Sequence, residues 1–119
     1  MRNLLAAIRG GVPEMVVGQR GKRLVLLSLR DVVYAVAEDG LVFLHTRTER
    51  FLTDRTIAQL ELSLAPAGFF RISRAALANL THAAELMPST SRTWTLKLST
   101  GVELPVSRAR GRLLQARFK

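Results

Sequence analysis

The apolar residues of this 119-residue chain come in short bursts cut apart by turn-forming residues, and this constrains its fold more than any other feature. Leu24–Leu27 and Val32–Ala37 are typical bursts, and nothing approaches the roughly 20 apolar residues of a helical membrane span. Met15–Val17 and Arg23–Leu29 flank Gly18-Gln19-Arg20-Gly21-Lys22, which reads as a hairpin turn. Asp39-Gly40, a strong turn dipeptide, separates the β-rich segments Val32–Ala37 and Leu41–Thr46. Thr48–Thr53 and Phe69–Ile72 read as further strands. So do His82–Met87, Thr93–Leu98 and Val102–Val106.

The period changes only twice. Ile57, Leu60 and Leu64 fall at helical spacing behind Asp54, which is expected as the N-cap, and Pro66 and Gly68 close that segment. Arg110–Phe118 reads as a short terminal helix with Leu113 and Leu114 inward and its arginines outward. Residues 73–79 are alanine-rich and read as a turn of helix. Residues 1–13 read as a lead-in or connector, which leaves residues 14–119 as one mainly β domain. In that lead-in, Arg9 cuts the apolar stretch short of a secretory signal.

Charge supplies the first functional clue. Eighteen Lys+Arg against nine Asp+Glu give a net charge of +9, which favours a polyanionic partner over a membrane surface. Fifteen of the basic residues are arginine, whose planar fork suits phosphate oxygens and the guanine edge. The last twelve residues hold Arg108, Arg110, Arg112, Arg117 and Lys119 without an acid. There is no cysteine, so thiol catalysis, thiolate metal sites and disulfides are excluded, and a cytoplasmic location is the default expectation.

Enzyme chemistry has little to stand on. His45 and His82 sit in no metal-ligand spacing and read as structural, and the nine acids form no recognisable pair. Gly18–Lys22 lacks the spacing and the following helix of a phosphate loop. No enzyme activity, metal or cofactor is expected. Arginines at strand ends carry more information: Arg71 and Arg74 bracket the junction after Phe69-Phe70, and Arg108 and Arg110 follow Val106. A strand end fixes the backbone and projects a long side chain outward, as a β scaffold presents groups to nucleic acid. Pairing with Glu61, Glu85 or Glu103 is the competing explanation for such arginines.

These junctions resemble the signature of LytTR DNA-binding domains. Phe69-Phe70-Arg71-Ile72-Ser73-Arg74-Ala75-Ala76-Leu77-Ala78-Asn79 is similar to the family's Phe-x-Arg-Ile-His-Arg-Ser-Tyr-Leu-Val-Asn. Gly101-Val102-Glu103-Leu104-Pro105-Val106-Ser107-Arg108 is similar to its Gly-x-x-(Ile/Leu)-Pro-Val-Ser-Arg. Leu29–Tyr34 and Leu60–Leu64 match in order and spacing as well.

The resemblance implies an elongated stack of antiparallel β-sheets with one short helix and a short C-terminal helical segment. It implies a transcription regulator that binds double-stranded DNA at promoter direct repeats, through loops in the major groove, and bends the duplex. It casts Arg74 and Arg108 as base-reading residues, and Arg71, Ser73, Arg110 and Arg112 as phosphate or positioning residues. A third groove contact would come from Asp39 and Gly40, with Arg47 or the Arg20–Arg23 turn as substitutes. A homodimer on DNA, and a receiver or sensor domain if the chain is a fragment, are implied too. The chain departs from the family at Ser73 (for His), Ala75-Ala76 (for Ser-Tyr) and Asp39-Gly40-Leu41 (for Asn-Tyr), which implies weaker affinity or a changed site. The competing functions are a protein-interaction module on the same scaffold and, behind it, a small RNA-binding β domain in which Trp94 would stack on bases.

Overall fold

The computed structural model describes residues 14–118. The lead-in expected over residues 1–13 lies outside the described residues. The others form ten strands and two α-helices within 44 × 32 × 24 Å, so the domain is elongated and mainly β.

In chain order, the strands are β1 (Met15–Arg20), β2 (Arg23–Ser28), β3 (Tyr34–Glu38), β4 (Leu41–His45) and β5 (Arg50–Thr53). Helix α1 (Ile57–Leu64) follows, then β6 (Phe69–Ser73), β7 (Ala76–Asn79), β8 (Ala83–Pro88), β9 (Trp94–Leu98), β10 (Glu103–Val106) and helix α2 (Arg108–Phe118). A seven-stranded sheet runs β2-β1-β5-β4-β3-β7-β6 and a three-stranded sheet runs β10-β9-β8, with every pairing antiparallel.

Two cores sit on opposite faces of β3 and β7, and side-chain alternation divides them. Ala35 and Leu77 face the first core with Leu44, Phe51, Phe69 and the inner face of α1 (Ile57, Leu60 and Leu64). Ala76 and Ala78 face the second, against Leu96, Leu98 and Leu104 of the smaller sheet and Leu114 of α2. This layering explains the one element misread from sequence. The alanine-rich stretch is strand β7 and not a turn of helix, because it pairs with β3 and β6 and both of its faces are buried, Leu77 in the first core and Ala76 and Ala78 in the second. Ala78 is fully buried.

Smaller corrections have equally local causes. Gly18 lies inside β1 and not in the turn, because the Phe51 side chain packs directly against it. The cap of α1 is Thr56 and not Asp54. Thr56 Oγ1 accepts from the Gln59 amide at 3.1 Å, and Gln59 Oε1 accepts from the Thr56 amide at 2.9 Å. This capping box contributes about 1 kcal/mol. In α2 only Leu114 of the expected leucine pair points inward. Gly111 is its buried companion, and Leu113 is 53% exposed. Burying Leu114 stabilises the helix on the sheet by about 1.5–3 kcal/mol.

Candidate nucleic-acid interface

Antiparallel topology gathers several junctions at one end of the molecule. Glu38 pairs with Leu41, which puts the Asp39-Gly40 turn there, and Ser73 pairs with Ala76, which closes the Arg74-Ala75 corner. The Ala37 amide donates to the Ala75 carbonyl at 2.8 Å and ties the two turns together. In the β6–β7 hairpin the register shifts between Arg71 and Ser73 and leaves Ile72 outside the pairing, a β-bulge. The Ile72 carbonyl accepts instead from the Ser107 amide at 2.9 Å. That bond docks the end of β10 beside the corner, so the bulge brings Arg108 into the neighbourhood of Arg74.

Arg74 is exposed, and its side chain has no partner among the described residues. Arg71 holds the corner beneath it. Arg71 Nε donates to the Ser73 carbonyl at 3.1 Å, Nη2 to the Arg74 carbonyl at 2.8 Å and Nη1 to Glu61 Oε1 at 3.4 Å. Its guanidinium is therefore committed to the protein and positions the turn. Ser73 also works within the corner, where its Oγ accepts from the Ala75 amide at 3.3 Å.

Arg108 opens α2, is exposed and donates from Nη2 to the Ser91 carbonyl at 3.4 Å. Ser107 Oγ accepts from the Arg110 amide at 3.3 Å, so the hydroxyl caps the first turn of the helix. The positive end of the helix dipole thus opens at the same end of the molecule, where an anion is favoured. Arg110 is half-buried, with its guanidinium 6.0 Å from the Phe70 ring centroid, and Arg112 is exposed one helical turn beyond Arg108. Neither Arg74 nor Arg108 has an acidic partner among the described residues.

The third contact looks different. Asp39 and Gly40 both take positive φ, 52° and 81°, as a type I′ turn requires. Asp at the first position is turn chemistry, and it lays a negative charge beside the Arg74 corner. Arg47 is not brought to this end. It lies in the β4–β5 connection at the opposite end of β4, roughly 17 Å of strand away. The Arg20–Arg23 turn is beside it, since Arg20 Nη1 bonds Glu49 Oε1 at 2.6 Å.

Two further features at the end that carries Arg74 and Arg108 belong to neither arginine motif; a loop over Pro88–Arg92 is expected from the sequence, but its place in the fold is not. Thr53 pairs with Val42, which carries exposed Arg55 just past the same edge, and Pro88 pairs with Trp94, which sets loop 89–93 there. All three non-glycine residues with positive φ among the described residues, Asp39, Ser91 and Arg92, fall at this end. Strained backbone concentrates where function is placed. A positive φ outside an Asx-Gly dipeptide leaves no signal in one sequence, so only the polar run Ser89–Arg92 hinted at that loop.

The two histidines lie at the opposite end of the molecule from these arginines. His45 stacks on Tyr34, with ring centroids 4.3 Å apart and planes within 8°. Burial pushes the His45 pKa down and the Tyr34 pKa up. His82 Nε2 bonds the Arg30 carbonyl at 2.7 Å. No group of three His, Cys, Asp or Glu among the described residues could hold a metal ion, and no described helix is long and apolar enough to cross a membrane.

An antiparallel β scaffold that presents arginines from rigid corners at one end, beside a helix N-terminus, suits a polyanionic partner such as nucleic acid. The chain belongs to the LytTR family: residues 22–119 match the LytTr DNA-binding domain. It is 36% identical over 85 residues to the "Sensory transduction protein LytT" of Bacillus anthracis, a match covering 71% of this chain and 35% of that protein. It is 30% identical over 92 residues to the "Transcriptional regulatory protein YpdB" of Escherichia coli K12, covering 76% of this chain and 38% of that protein. The chain thus spans about a third of the length of the curated relatives it matches. Its fold also matches the solved LytTr DNA-binding domain of a putative methyl-accepting/DNA response regulator from Bacillus cereus. That match has a TM-score of 0.81 and 19% identity, over 88% of this chain and 96% of the other. LytTR is a DNA-binding family and not an enzyme family.

Proposed function

We propose that residues 14–119 form the output unit of a transcription regulator that reads promoter DNA through loops in the major groove. Arg74 and Arg108 read bases, each able to donate a bidentate pair to guanine O6 and N7. Arg71 and Ser73 position the first corner, while Arg110 and Arg112 meet phosphates and supply much of the raw affinity. Asp39-Gly40 shapes the turn beside them without adding positive charge, in keeping with weaker or altered recognition. Two copies occupy a direct repeat and bend the duplex. A receiver or sensor segment, where one is present, sets when they do so.

The observation that carries this reading is the Ser107–Ile72 bond, which brings together two exposed arginines of separate motifs, neither with an acidic partner among the described residues. Binding-site selection from genomic DNA with purified protein, at about 150 mM salt, tests it. Enrichment of a spaced direct repeat is the expected outcome. Retention of all DNA without a motif would leave only electrostatic binding and overturn it.

One observation favours a protein partner as the second reading. Val17, Leu24 and Leu26 form an exposed aliphatic row on the outer face of the β1–β2 hairpin, and Leu24 is 73% exposed. The RNA reading loses its stacking residue, because Trp94 packs against the second core.

A further inference from the structure

Loop 89–93 sits beside Arg108, and neither sequence motif includes it. It is closed on itself: the Ser89 amide donates to the Thr93 carbonyl at 2.9 Å, and Thr93 Oγ1 donates to the Thr90 carbonyl at 2.8 Å. Ser91 and Arg92 hold φ of 60° and 64°, a conformation non-glycine residues adopt only when their surroundings impose it. The loop is fastened twice to the element that carries Arg108. The Ser91 carbonyl accepts from Arg108 Nη2, and Trp94, just past the loop, packs against Gly111 within the first turn of α2. Arg92 itself is exposed, has no partner among the described residues, and has no acid in its loop.

We propose that loop 89–93 is a fourth DNA-contacting element, in which Arg92 binds a backbone phosphate flanking the base pair read by Arg108. The inference rests on the DNA-reading function proposed above. A phosphate is the fitting ligand because Arg92 presents a lone positive charge outside both arginine motifs, on a loop fastened at the flank of Arg108. A single unpaired charge on a fixed backbone positions the protein on the duplex and adds affinity, without discriminating bases.

The test is an anisotropy titration of the whole chain on its selected duplex and on a random duplex of equal length, from about 50 to 200 mM salt. Wild type, Arg92→Ala, Arg92→Lys, Arg92→Gly and Arg108→Ala are compared. Arg92→Ala is expected to weaken both duplexes by a similar factor and to make the log K against log salt slope shallower by about 0.9. Its affinity loss across that salt range should then be about 3.5-fold smaller than that of wild type. Arg92→Lys should restore the slope. Arg92→Gly should bind as poorly as Arg92→Ala while melting no lower than wild type, since glycine accepts positive φ without strain.

An unchanged slope in Arg92→Ala would overturn the proposal, and so would a loss confined to the selected duplex. If Arg108→Ala still loses preference for the selected duplex in the same experiment, the DNA-reading function stands without the fourth element. No preference in wild type would overturn both.

Discussion

Trp94 packs directly against Gly111, so that a Cβ added there would fall 2.6 Å from Trp94 Cγ and 2.7 Å from Nε1. The start of β9 and the first turn of α2 touch with nothing between them. Gly111→Ala should force the ring or the helix aside and destabilise the fold by about 1–3 kcal/mol. Because Trp94 is the sole tryptophan, its fluorescence should report the displacement directly. Specific DNA binding should fall with it, as α2 carries Arg108. An Ala variant with wild-type melting and emission would refute the contact.

Arg74 and Arg108 should behave differently from Arg112. Arg74→Ala and Arg108→Ala should each cost about 1–3 kcal/mol of discrimination between the selected site and random DNA. Arg112→Ala should weaken all sequences alike and flatten the salt slope. Paired titrations on selected and random duplexes decide it, and equal losses for all three would sink the division of roles.

Arg71 should act through Arg74. Removing its guanidinium frees the Ser73 and Arg74 carbonyls, so Arg71→Ala should weaken binding to the selected site by about tenfold, near 1.4 kcal/mol. The random-DNA salt slope should stay nearly unchanged. A slope reduced by a full contact would mean that Arg71 reaches phosphate itself.

Asn79 holds the strand crossing of the first core. Its Nδ2 donates to the Leu29 carbonyl at 3.1 Å and the Val32 carbonyl at 2.9 Å, and its Oδ1 accepts from the Thr81 amide and hydroxyl. Asn79→Leu keeps the γ-branched shape but strands those partners, at a cost of about 2–4 kcal/mol in denaturant melts. A loss below 1 kcal/mol would show that water replaces the amide.

His45 should make stability depend on pH. Burial lowers its folded-state pKa below the ordinary 6.5, and Nε2 is shielded without a partner among the described residues. As pH falls through that ordinary value the unfolded chain takes up a proton that the folded chain resists. The stability present at neutral pH is then lost until the lowered folded pKa is passed. His45→Phe keeps a ring against Tyr34, and its melting temperature should drop less than wild type between about pH 7.5 and 5. Parallel melting curves would remove His45 from the account.

The strands were legible wherever alternation and turn dipeptides coincided, as in β3, Asp39-Gly40 and β4. β7 was not, because Ala76 and Ala78 signal helix by propensity and are strand only because the smaller sheet closes over them. That sheet comes from residues later in the chain. The arginine positions of the site were legible as a pattern, and their division of labour was not. Arg71 looks like Arg74 on paper, yet its partners are two neighbouring carbonyls and a glutamate on α1. Arg92 belongs to no motif, and only the pairing of Pro88 with Trp94 reveals which end of the molecule it occupies.

The clamp that Arg71 places on the β6–β7 corner grips main-chain oxygens alone. Every residue type carries such oxygens, so the corner keeps its shape whatever side chain stands at position 74. The residue proposed to read bases is thereby separated from the fold that presents it, like type set in a fixed frame. On that proposed role, substitutions at 74 should change the preferred base while the scaffold, its cores and its docking to α2 stay as they are.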